Sequence, residues 1–167
     1  FFKISYQVNM KADFYEHNLS SEHSKYISKF LKSDFLTTGN ICKETEIQLK
    51  KFFNVNYALL TNSWTNGALA VLMALNIKKG DEVIIPAMTF VATANIVELL
   101  RAVPRFVDVD KKTLLLDLDK TVKAINNKTK AIMPVHLYGN MFDVKNLRNK
   151  IKKFKKKIYI IEDSAHC

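Results

Sequence analysis

Hydrophobic positions along the chain change their spacing near residue 57. Before it, apolar residues recur every three or four positions: Tyr26, Ile27, Phe30 and Leu31 in "SSEHSKYISKFL" (20–31), then Ile47, Leu49, Phe52 and Phe53 in "KETEIQLKKFF" (43–53). That period predicts two helices, with the leading serines as candidate N-caps. Thr37, Thr38, Gly39 and Asn40 in "FLTTGN" separate them. Beyond this point short, continuous apolar runs alternate with amphipathic stretches. Strands are expected over 57–61, 82–86, 105–109, 130–135 and 158–162, and helices over 66–75, 90–100, 117–125 and 143–154. Five buried-type strands interleaved with helices predict an α/β fold, a mostly parallel sheet with helices on both faces. The expected division is an N-terminal helical arm over 1–50 and the first part of an α/β domain over 51–167. No repeat, low-complexity tract or Pro/Gly-rich linker interrupts the second part.

In an open parallel sheet, ligands bind beyond the carboxyl ends of the strands, so the residues that follow each strand carry the candidate chemistry. "NSWTNG" (62–67) leads from a strand into a helix. The hydroxyls of Ser63 and Thr65 and the free backbone N–H groups there suit an anion such as phosphate, although the same residues could simply cap the helix. Neither G-x-G-x-x-G nor G-x-x-x-x-G-K is present, so no dinucleotide fingerprint or P-loop is predicted. Phe90 could stack on a planar ligand or fill the core. His136 and Tyr138, with Gly139 permitting a tight turn, could line a pocket or form a surface turn. Asp143 reads as a helix N-cap. In "IYIIEDSAHC" (158–167), Asp163 ends a strand apolar enough to be buried. A carboxylate there needs a partner, either backbone amides or a cationic ring nitrogen. His166 could serve the same ligand, and Glu162 should alternate to the opposite face.

Composition changes the picture little. With 167 residues, 48% of them hydrophobic, the chain can build one core. The formal net charge of +10 comes mainly from lysine, concentrated in "NKIKKFKKKIY" (149–159). A solvated helix face accounts for that run better than a nucleic-acid surface, because Arg and stacking aromatics are scarce in it. Cys42 and Cys167 lie far apart without C-x-x-C spacing, which predicts neither a disulfide framework nor a zinc site and makes a reducing, cytoplasmic setting the expectation. "FFKISYQVNM" is too short and polar for a signal peptide, and no run approaches the ~18 apolar residues of a membrane span. A first residue of Phe rather than Met marks the chain as an expected fragment.

In order and spacing, "FLTTG", "TNSWTNGALAVLMAL", "KKGDEVIIPAMTFVATANIVELLRAVPRFVDVD", "TKAIMPVHLYG" and "IIEDSAH" resemble the DegT/DnrJ/StrS family of pyridoxal 5′-phosphate-dependent sugar aminotransferases. The likeness runs from "FLTTGN" to the last residue. It implies a fold type I aminotransferase-like large domain, incomplete at the C-terminus. It further implies that Trp64 and Thr65 hold the cofactor phosphate, Phe90 stacks on the pyridine ring, Asp163 pairs with the protonated ring nitrogen and His166 contacts the 3-oxygen side. His136 and Tyr138 are candidate substrate contacts. Trp64 departs from the family's usual Ser-Gly-Thr, which alters the shape of the phosphate cup. The implied reaction moves an amino group, usually from glutamate, to a keto group of a nucleotide-linked deoxysugar, in a homodimer when full length. The Schiff-base lysine is expected beyond Cys167, so this polypeptide alone is expected not to transaminate. Two readings compete: a sugar 3-dehydratase of the same architecture, in which a histidine replaces that lysine, and an inactive remnant or regulatory partner. A basic nucleic-acid-binding module is the unrelated alternative; no metal is expected.

Overall fold

A computed structural model of the chain describes residues 17–32, 36–37 and 39–167. Thr38 of the expected helix break lies outside the described residues. The chain divides into two compact units between Leu59 and Leu60, somewhat past the boundary expected at residue 50.

In the first unit the helical period is realised as α1 (Ser21–Phe30) and α2 (Asn40–Phe53). Ser20 and His23 form a reciprocal capping box at the start of α1, a role the serine pattern anticipated. Asn54 closes α2 in a left-handed conformation, which asparagine tolerates better than most residues.

The second unit is built from α3 (Trp64–Ala74), β1 (Glu82–Pro86), α4 (Ala92–Leu99), β2 (Val103–Val107), α5 (Leu118–Ala124), β3 (Thr129–Ile132), α6 (Val144–Ile151) and β4 (Tyr159–Ile160). The four strands form one sheet in the order β2-β1-β3-β4, every pair parallel. The strand expected over 57–61 is absent. Tyr57, Leu59 and Leu60 are exposed. Hydrophobicity alone does not make an apolar run a strand. β3 is shorter than its apolar run, which reaches Pro134, a residue with no N–H for the ladder.

Why the central strands read as continuous apolar runs follows from the two cores. Val83 and Ile85 of β1, with Ala131 and Met133 around β3, point to one face and pack with Ala68, Leu72, Ile96 and Val97 of α3 and α4. Ile84 and Ile132 point to the other, with Leu116, Ile125, Phe142 and Leu147. Successive residues of a strand face opposite sides, so a sheet covered twice needs apolar residues at both parities. Asp117 and Asp143 cap α5 and α6, each accepting a backbone N–H at 2.9 Å from Lys120 and Asn146 respectively.

Candidate functional site

A cavity of about 290 Å³ opens at the carboxyl ends of the strands, lined by Trp64, Thr65, Thr89, Phe90, Val135, Leu137, Asp163, Ala165 and His166. It sits near the small end of the range for ligand clefts, ~300–1,000 Å³. All five residues expected to hold a cofactor, Trp64, Thr65, Phe90, Asp163 and His166, meet in it from three separate segments.

Trp64 and Thr65 are the first residues of α3. Ser63 caps the helix, its hydroxyl accepting from Asn66 N–H at 3.2 Å, while Ser63 C=O takes Gly67 N–H at 3.1 Å. Ser63 is therefore a cap, and the amides of Trp64 and Thr65 are the ones without an acceptor inside the helix. Gly67 makes this turn possible: a Cβ there would stand 2.9 Å from Thr61 Oγ1, which itself donates to Ser63 C=O at 2.9 Å.

Phe90 follows β1, and its ring is 71% exposed. It therefore does not fill the core, the other fate open to it. Thr89 and Thr93 share a hydroxyl hydrogen bond at 3.0 Å across the base of this segment. Thr89 itself lines the cavity; its position directly before Phe90 in "AMTF" was the available signal.

Asp163 is 4% exposed. Its backbone continues the sheet past β4, donating to Pro134 C=O and accepting from His136 N–H, both at 2.9 Å, in a parallel bridge opposite Val135. One carboxylate oxygen accepts from Ala165 N–H at 3.1 Å. Burial raises this carboxyl above the ordinary range; the Ala165 amide and the neighbouring His166 and His136 offset part of that. Glu162 turns to the opposite face as expected, within 3.4 Å of both His136 Nε2 and Arg148.

His136, a candidate substrate contact, lies inside the protein rather than in the cavity lining. Its ring is 1% exposed, Nδ1 accepts from Phe142 N–H at 3.0 Å, and Nε2 faces Glu162. A ring with both nitrogens engaged inside the protein has nothing to offer a ligand. Tyr138 stays at the surface outside the cavity lining and packs on His166, ring centroids 5.9 Å apart. Among the described residues, no lysine lines the cavity and no group of three or more His, Cys, Asp or Glu could hold a metal ion. No described helix is long and apolar enough to cross a membrane. The lysine-rich run behaves as a solvated segment in part: Lys157 lies over the Tyr159 ring and Lys156 donates to the carbonyls of Asn126 and Thr129.

A parallel sheet covered on both faces, with a buried carboxylate, an exposed aromatic and a helix start around one cleft at its carboxyl edge, defines an incomplete α/β domain of the fold type I pyridoxal phosphate enzymes. The chain belongs to the DegT/DnrJ/EryC1/StrS aminotransferase family, whose model matches residues 17–167. An uncharacterized protein of Methanocaldococcus jannaschii is 36% identical over 149 residues, covering 89% of this chain and 38% of that protein. A candidate sugar aminotransferase of Streptococcus pneumoniae, in its PLP form, superposes with a TM-score of 0.85 at 30% identity, covering 90% of this chain and 42% of the other. The E. coli GDP-4-keto-6-deoxy-D-mannose-3-dehydratase with bound hydrated PLP superposes at 0.81 and 30% identity, covering 89% and 39%. The chain thus spans about two-fifths of the length of these relatives.

Proposed function

We propose that these residues form the cofactor-holding part of a pyridoxal 5′-phosphate-dependent aminotransferase acting on a nucleotide-linked keto-deoxysugar, with glutamate as amino donor. The observation that carries this reading is the convergence of Trp64, Thr65, Phe90, Asp163 and His166 on one cavity. The donor set fits the cofactor group by group. The amides of Trp64 and Thr65, at the positive end of α3, suit a phosphate. Phe90 is exposed at the cavity rather than buried in the core, which leaves it free to stack on a heteroaromatic ring. Asp163 is a buried acid whose charge is costly while it stands alone, so a protonated ring nitrogen is the partner that relieves it. His166 faces the ring's oxygen side.

When bound, pyridoxal phosphate supplies an electron sink for the carbanion left by proton removal from an amino donor. Asp163 keeps the ring nitrogen protonated, Phe90 holds the ring plane and the α3 amides fix the phosphate. The lysine that such chemistry needs comes from outside the cavity-lining residues, and accordingly the 167-residue polypeptide alone does not transaminate. Dimerisation and a cytoplasmic setting belong to the same proposal.

A second reading, sugar 3-dehydration, is favoured by one observation: the E. coli dehydratase superposes almost as well as the aminotransferase. Incubating a protein of the relatives' full length with pyridoxal phosphate, glutamate and a 4-keto-6-deoxy sugar nucleotide separates the two. An amino sugar is expected; loss of the C3 oxygen would establish the dehydratase reading, and neither product would remove both.

A further inference from the structure

Tyr138 occupies a backbone conformation that suits glycine. Its φ of 55° and ψ of 35° lie in the left-handed region, where a bulky residue is strained and persists only if its surroundings hold it. Gly139 follows at φ 77°, so the chain turns sharply after β3. The turn brings Tyr138 against His166. Tyr138 N–H donates to His166 Nδ1 at 3.4 Å, and the two rings stack with centroids 5.9 Å apart and planes inclined by 24°. Core packing does not account for the tyrosine, since it is 63% exposed. Because Nδ1 accepts, a neutral imidazole at this position carries its proton on Nε2. His166 lines the cavity, and in this tautomer Nε2 is the nitrogen that carries the donor hydrogen.

We propose that Tyr138 is a positioning residue that holds His166 as the Nε2–H tautomer, giving the cavity one hydrogen-bond donor to set beside the Asp163 acceptor. An acceptor and a donor on one cavity wall match a heteroaromatic ring that carries a protonated nitrogen and an anionic ring oxygen. The assignment of that ligand rests on the cofactor reading above; the tautomer does not.

Two measurements on the 167-residue chain test this. The first is imidazole ¹⁵N spectroscopy at about pH 8.5, two units above the ordinary histidine pKa of ~6.5. His166 is expected as the Nε2–H form with a hydrogen-bonded Nδ1, in the wild type and in Tyr138→Phe, which keeps ring and backbone. In Tyr138→Gly, which keeps the N–H but removes the ring that His166 stacks on, the imidazole is free to rotate off that N–H and relaxes to the tautomer mixture of a solvent-exposed histidine. Glycine relieves the backbone strain, so this variant does not lose thermal stability, whereas a residue with a purely structural role would. The second is affinity for pyridoxamine 5′-phosphate: Tyr138→Gly weakens it about tenfold, the worth of one hydrogen bond at the upper end. Tyr138→Phe leaves it unchanged, and an analogue lacking the 3-oxygen binds wild type and Tyr138→Gly equally. If the wild type shows the single tautomer but binds no pyridoxamine phosphate, the cofactor reading falls and the positioning role stands. A tautomer mixture already present in the wild type, or a Tyr138→Gly variant unchanged in both measurements, overturns the proposal.

Discussion

Asp163 shows how burial converts into a pH dependence. Its folded-state pKa is raised by burial, so the folded chain binds this proton more tightly than the unfolded chain does. The stability it contributes is fully present below the ordinary carboxyl value of 3.8 and is lost as pH rises through the folded pKa. Asp163→Asn should therefore melt above the wild type at pH 7, and the difference should shrink as pH falls toward 3.8; a variant less stable than wild type at neutral pH would contradict this. Phe90 separates binding from folding in the other direction. With its ring 71% exposed, Phe90→Ala should change stability by no more than about 0.5 kcal/mol. It should weaken pyridoxamine phosphate binding about tenfold, as loss of a stacking partner worth up to ~1.5 kcal/mol implies. Both residues were legible as candidates because they follow apolar strands. The surroundings of His136 were not legible, since nothing in "HLYG" reveals that Phe142 N–H and Glu162 will take up its two nitrogens.

At the scale of elements, the start of α3 is the most constrained piece. A Gly67→Ala change would ordinarily favour a helix, but here the new Cβ meets Thr61 Oγ1 at 2.9 Å and must displace the residue that ties down Ser63. We expect a net loss of about 1–3 kcal/mol, as for other overpacked sites, read from chemical denaturation, with Thr61→Ala restoring part of it. A stabilised Gly67→Ala would show that the turn has room to spare. Helices were the more legible elements: the period over 43–53 and the caps at Ser20 and Asp143 reappear in the structure. Strands were less so. The run over 57–61 is apolar yet forms no strand, and β4 shrinks to Tyr159–Ile160 although its path continues to Asp163 through a bridge. Pairing is decided by distant residues, which local hydrophobicity does not encode.

For the molecule as a whole, the cavity at the carboxyl edge of the sheet, proposed above to hold pyridoxal phosphate, is assembled from segments about a hundred residues apart in sequence, from Trp64 to His166. The topological rule for parallel sheets predicted where such residues must meet; which of them share a wall required the fold. The chain provides its own reporter, since Trp64 is its single tryptophan and lines the cavity. Titration of the 167-residue chain with pyridoxamine 5′-phosphate, followed by tryptophan fluorescence, is the most direct measurement. A saturable change is expected that inorganic phosphate competes away and that weakens at least tenfold in Asp163→Asn, which cannot balance the ring's charge. No saturable change, or one indifferent to Asp163→Asn, would contradict it.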